Sequence, residues 1–220
     1  MPPPPAIIIV RHGQSEHHVR GLTGGWTDTP LTALGHEQAR LVAARLLAEL
    51  PSTPVHVFAS DLMRAAQTAS HIAAALGVDV QPDGRLREHN NGDSANMTMA
   101  AARERFPDAR DMRMHTQMLP GAETGAQFYK RARSFLEELD DSSALPILVT
   151  HGGTIRMLVA AWLGFTEDAL DYAHFASLPT GITVLRSYGD AAREHMLERL
   201  SDIAHLTGTE GWVNLRDAIA

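Results

Sequence analysis

The chain has no cysteine, which excludes disulfides and any metal or cluster held by thiolates. It also lacks an unbroken apolar run of about 18 residues, so no transmembrane helix is expected. The first residues carry neither the basic n-region nor the apolar h-region of a secretory leader. These absences together predict a cytoplasmic protein. A surplus of positive charge is missing as well: the formal net charge is -7. Non-specific nucleic-acid binding needs a basic face, so neither nucleic acid nor membrane is an expected partner. No repeat period, linker or shift of composition divides the 220 residues, and a single domain, 1–220, is predicted. Nothing in the pattern fixes the oligomeric state, and a dimer is left open. What the chain does have in quantity is histidine, with twelve.

The stretch Ile7-Ile8-Ile9-Val10 follows a stiff proline tail (residues 1–5) and reads as a strand buried on both faces. It ends in Arg11-His12-Gly13, and ligands of open α/β sheets bind beyond such strand ends. His17 to Pro30 reads as a loop. Thr32 then caps a helix to about Leu50, with Leu46, Leu47 and Leu50 on its apolar face. Val55–Ala59 is a second strand. Ser60 or Asp61 caps a second helix, which Gly77 closes. Val78–Val80 is a brief third strand. From His89 to about Met118 the chain makes an excursion containing Met97, Met99, Met112, Met114 and Met118, helical from Ala95 to Phe106.

A helix after Thr124, a strand at Leu145–Thr150 and a helix from His151-Gly152-Gly153-Thr154 to about Gly164 follow. Extended segments near Ala173–Ser177 and Ile182–Ser187 and a short strand at Met196–Leu200 complete the series. Strands alternating with amphipathic helices predict an α/β, three-layer sandwich. Its central sheet is mostly parallel, with helices on both faces and a small helical cap insertion at about 89–118.

Three strand-to-turn junctions deliver Arg11 with His12, Arg64, and His151. Taken singly, each has an ordinary use as a surface or turn residue. Their coincidence is harder to assign to folding, because clustered cations at strand ends add no stability. Guanidinium forks match a tetrahedral oxyanion such as phosphate, and a helix N-terminus after Gly152 can add backbone donors. A metal fits poorly beside two guanidinium groups. Neighbouring arginines also keep an imidazole neutral, and a neutral imidazole is a nucleophile for phosphorus. Glu88, after the third strand, can give and take the proton that such a transfer needs.

At this point the residues resemble a known family. The run Arg11-His12-Gly13-Gln14-Ser15-Glu16 resembles the signature of the histidine phosphatase superfamily, in its phosphoglycerate-mutase-like branch. The likeness continues through Gly24 to Thr32, Ser60 to Ala69, Leu86-Arg87-Glu88 with Gly92, Pro120 to Thr124, and Val149 to Gly153. It implies a phosphohistidine on His12, phosphoryl oxygens held by Arg11, Arg64 and His151, and Glu88 as proton donor and acceptor. Further substrate contacts fall on Gln14, His18, Gly24, Gly25 and Gly152. No metal or organic cofactor is implied, and the expected partner is a small phosphorylated metabolite.

His18 departs from the family pattern, standing where many mutase-like members carry Asn. The stretch 89–92 does not match mutase text either, and the segment to Pro120 is short for a cofactor-dependent mutase. The expected activity is therefore phosphomonoester hydrolysis, ahead of phosphoglycerate mutation and of a non-catalytic phospho-ligand module.

Overall fold

The computed structural model describes residues 4–109, 114–139, 144–188 and 194–208, so Met1–Pro3 of the proline tail and Met112 lie outside the described residues. One sheet runs through the described chain. Its strands are β1 (Ala6–Arg11), β2 (Val55–Ala59), β3 (Val80–Pro82), β4 (Leu145–Thr150), β5 (Ile182–Tyr188) and β6 (Glu194–Asp202). Their order is β3-β2-β4-β1-β5-β6. The first four run parallel, and β5 and β6 join antiparallel beside β1. The sheet is mostly parallel, as its alternation with helices predicted.

Period-2 alternation explains the two cores. Ile7, Ile9 and Leu148 point to one face, under α5 (Gly125–Glu138) and α6 (Gly152–Trp162). Ile8, Val10, Ile147 and Val149 point to the other, under α2 (Ala33–Glu49) and α3 (Met63–Leu76). Each fully buried branched side chain contributes roughly 1.5–3 kcal/mol. A strand with no polar face must lie between two helical layers, and β1 does.

Several boundaries differ from the sequence reading, each for a local reason. His17 and His18 do not lie in a loop but in a single helical turn, α1 (Glu16–Val19), closed by a capping box at Ser15. Neither Ser60 nor Asp61 caps α3. The N-cap is Leu62, and the cap comes from elsewhere: Asp28 Oδ1 accepts from Met63 N at 2.7 Å. The third strand starts two residues late because Val78 N is used to close α3, bonding to Ala73 O at 3.1 Å.

The cap helix α4 (Met99–Arg105) is shorter than Ala95–Phe106, since Asn96 sits at φ 65, which no helix continues through. Ala173–Ser177 forms no strand; the carbonyls at its two ends accept from Arg156 and Arg11. β6 is longer than expected and bulged near Ser201 (φ 50). Leu47, expected inside, is 49% exposed.

Loop and helix meet most tightly at Gly35. A Cβ there would lie 1.9 Å from the carbonyl oxygen of Gln14, on the turn that follows β1. Gly35→Ala is expected to destabilise the protein by about 3 kcal/mol, lowering Tm on the order of 10 °C. Thermal denaturation checks this, and an unchanged Tm would contradict the close approach.

Candidate active site

The parallel register builds the site. Arg11 pairs with Thr150, so His12 and His151 leave neighbouring strands at one level, with ring centroids 5.0 Å apart. Arg64 reaches in from the first turn of α3, and its Nε donates to His12 Nε2 at 3.3 Å. Glu88 follows the 3-10 turn Gly84–Leu86 beyond β3, and its carboxylate accepts from Gly153 N and His89 N, both at 3.0 Å. The carboxyl end of the sheet thus gathers Arg11, His12, Arg64, Glu88 and His151.

The imidazole of His12 is buried, with Nδ1 2.7 Å from Gly13 O. A carbonyl only accepts, so the proton sits on Nδ1 and the lone pair on Nε2. Burial first, then His151, Arg64 and Arg11, hold its pKa well below 6.5. The backbone beneath the ring is fixed, because His12 N donates to Thr150 O at 2.9 Å and Gly13 N to Thr68 Oγ1 at 3.2 Å.

Arg64 is 1% exposed. Its Nη1 and Nη2 donate to Thr27 O and Gly25 O, each at 2.8 Å. Burial lowers its pKa to about 10, which leaves it cationic at neutral pH. Arg11 is gripped by the turn 177–181. Nη1 donates to Ser177 O, Arg11 O accepts from Thr180 N at 3.1 Å, and Arg11 N donates to Gly181 O at 3.3 Å. Its Nε is buried without a partner.

His151 is fully buried, with Nε2 2.8 Å from Ser60 Oγ. Ser60 Oγ also accepts from Leu62 N at 3.3 Å, so one hydroxyl ties the start of α3 to this ring. His151 Nδ1 is buried with no partner among the described residues. Burial, then Arg64 and Arg11, keep this ring neutral too.

His18 lies over His12, with centroids 5.8 Å apart. Its Nδ1 lies 3.4 Å from Ser15 N and 3.3 Å from Ser15 Oγ, and its Nε2 lies 3.4 Å from Arg11 Nη2. Desolvation, then Arg11 and Arg64, bring His18 to about 4. The ring of His17 lies behind it, tilted by 35° with centroids 3.9 Å apart, and is brought to about 3, by desolvation and then by His18.

The remaining expected contacts have other partners. Gln14 Oε1 accepts from Thr32 Oγ1 at 2.8 Å, bracing the start of α2. Gly25 sits at φ 61, and a Cβ there would lie 2.3 Å from Asn91 Oδ1. Gly24 lies beside His17, and Gly152 lies under the Arg11 guanidinium. The first backbone donor of α6 aimed at the site, Gly153 N, is occupied by Glu88. Only glycine at 153 leaves room for that carboxylate, since a Cβ would fall 2.3 Å from Glu88 Oε1.

Some participants carried no clear sequence signal. Ser60, read as a cap, orients His151. Arg131 Nη2 and Trp26 Nε1 donate to Glu88 O at 3.1 and 2.8 Å. Thr180, buried at φ 54, donates its hydroxyl to Pro179 O at 2.8 Å and so receives His205 Nε2–H at 3.0 Å. His205 Nδ1 faces Arg45, which is bonded to Asp202 at 2.6 Å. His205, given no role from sequence, thus stands behind the turn that holds Arg11.

On the Glu88 side a cavity of about 900 Å³ opens between the strand ends and the stretches 89–109 and 116–123. Gly24, Gly25, Glu88 and Gly153 form its inner end. Among the described residues no group of three or more side chains could hold a metal ion, and no helix is long and apolar enough to cross a membrane.

The profile of the histidine phosphatase superfamily (branch 1) matches residues 7–199, and the chain belongs to that superfamily. A Hydrogenobacter thermophilus protein, named phosphoserine phosphatase 2 as a provisional assignment, is 32% identical over 91% of this chain and 98% of its own. The probable phosphoglycerate mutase GpmB of Yersinia enterocolitica is 32% identical over 86% and 95%. Among solved structures, a mycobacterial glucosyl-3-phosphoglycerate phosphatase superposes with a TM-score of 0.75 at 27% identity, covering 90% of this chain and 99% of its own. These relatives mark a phosphatase-type enzyme.

Stability carries the imprint of these neutral rings. His12, His17, His18, His151 and His205 all titrate below 6.5 in the fold, His205 at about 4 through burial and Arg45. As pH drops below 6.5, the unfolded chain binds more protons than the folded one. Their contribution is complete above that pH and is lost on acidification. Tm of the ligand-free protein is expected to fall by several degrees between pH 7.5 and 5, and less in His17→Gln; a Tm that rises on acidification would reverse the sign.

Proposed function

We propose that the chain is a phosphomonoester hydrolase that works through a covalent phosphohistidine on His12. The observation that carries this is the fixed tautomer of His12, whose Nε2 lone pair stands among two guanidinium groups. Two buried nitrogens without partners, Arg11 Nε and His151 Nδ1, add to it. A phosphoryl group at His12 would supply an acceptor for Arg11 Nε, and for His151 Nδ1 in the tautomer that carries its proton there.

In the reaction, His12 Nε2 forms a bond to phosphorus while the bond from phosphorus to the alcohol oxygen breaks. Glu88 transfers a proton to the departing oxygen. A water then attacks phosphorus, gives a proton back to Glu88, and the P–N bond breaks to release inorganic phosphate. Arg11, Arg64, His151 and His18 neutralise or hydrogen-bond the transferring oxygens, the largest expected contribution to rate. A mutase would instead return the phosphoryl group to another hydroxyl of the same molecule before release. The segment from Glu88 to Pro120 is short for a cofactor-dependent mutase, which favours hydrolysis.

Two variants test the assignment. His12→Ala is expected to lose hydrolysis by on the order of 10³-fold or more, together with acid-labile labelling of the protein by phosphorylated substrate. Phosphate binding with no label in the wild-type chain would indicate a binding module. Glu88→Gln should slow alkyl phosphates by roughly 10²–10⁴-fold but 4-nitrophenyl phosphate much less, because that leaving group needs no proton. Equal losses on both substrates would take the proton transfer away from Glu88.

A further inference from the structure

The cavity beside Glu88 has more to say about the substrate than the phosphoryl seat does. The phosphoryl group would sit against His12, so the group that leaves with a proton from Glu88 must extend toward the 900 Å³ space which Glu88 borders. Cavities of that size take a drug-sized ligand, far more than a three-carbon alcohol fills.

The walls have a chemical bias once the bonds of their polar groups are traced. Thr23 Oγ1 donates to Ser94 O, and Asn91 accepts from Trp26 N and donates to Ser94 Oγ. Ser94 Oγ donates to Asn91 O. His89 Nε2 bonds Glu123 O, and the Glu123 carboxylate is held by Arg131 and Asn90 N. These groups brace one another, and they hold the cap segment to the loop at Thr23–Trp26. The other side chains that line the cavity are mostly apolar, Met99, Phe106, Met118 and Leu119 among them, with Arg103 and Thr116 the polar exceptions. Met99 is 44% exposed on a short helix with no buried residue, so apolar surface stands open to the cavity. Covering such surface is favourable by about 25 cal/mol per Å².

We infer that the substrate is a phosphomonoester of a bulky, largely apolar alcohol, whose carbon skeleton lies against Met99, Phe106, Met118 and Leu119. The inference rests on the phosphohydrolase reading above. It places this chain's preference apart from the small polar alcohols, serine and glycerate, that appear in the names of its relatives.

Ethyl and hexyl phosphate test it, because their leaving groups match in basicity and differ only in apolar length. The kcat/KM for hexyl phosphate is expected to exceed that for ethyl phosphate by about tenfold or more, from burial of part of four extra methylenes. The ratio should drop severalfold in Met118→Ser and in Phe106→Ser, with the excess appearing in KM. The variants' circular dichroism and Tm are measured alongside. A ratio near one, or phosphoserine or 3-phosphoglycerate turned over faster than hexyl phosphate, would overturn the inference and leave the hydrolase intact. No turnover of any ester, 4-nitrophenyl phosphate included, would overturn the hydrolase itself and the inference with it.

Discussion

A guanidinium taken out of water must have its donors met, and Arg64 imposes that demand on everything around it. Its three donor directions are met by Gly25 O, Thr27 O and His12 Nε2. Meeting them requires the loop at 25–28 to lie across the start of α3. That in turn explains why Gly25 adopts a left-handed backbone, and why Asp28 is at hand to cap the helix on which Arg64 stands. The loop, the helix and the imidazole are three parts of one arrangement. If the cation is lost, two carbonyls and the lone pair of His12 lose their partner together.

The same crowding sets the chemistry. Cations and buried rings beside one another would be costly if every ring were charged, so desolvation and the arginines keep His12, His17, His18 and His151 neutral. Neutral rings keep lone pairs and defined tautomers, whereas the arginines remain charged. The site therefore holds fixed positive charge beside uncharged nitrogen. That combination suits an incoming phosphoryl dianion that has to be both attracted and attacked.

Much of the architecture could be read from the chain because its signals are local. Four consecutive branched residues before Arg11, an N-cap at Thr32 and a glycine at 77 each specify their element through short-range sterics. The strand ends could be read for the same reason, since parallel strand direction alone gathers Arg11, His12 and His151. Long-range partners escaped. The cap of α3 is Asp28, 35 residues from Met63, and the brace on Glu88 is Arg131, 43 residues away. Boundaries failed where a single backbone state decided them, as at Asn96. No pattern in a single sequence announces which carbonyl an arginine 40 positions off will choose.

The turn 177–181 and His205 behind it have a temporal meaning. Arg11 ends β1, the first strand of the sheet, and His12 follows it, yet the turn that grips Arg11 is braced by a ring that lies 194 positions later by sequence number. Strands β1 and β4 can pair long before then. During synthesis the strand end that carries Arg11 and His12 can therefore form well before the buttress behind its turn exists. The arrangement closes only when the last described turn folds back behind Thr180.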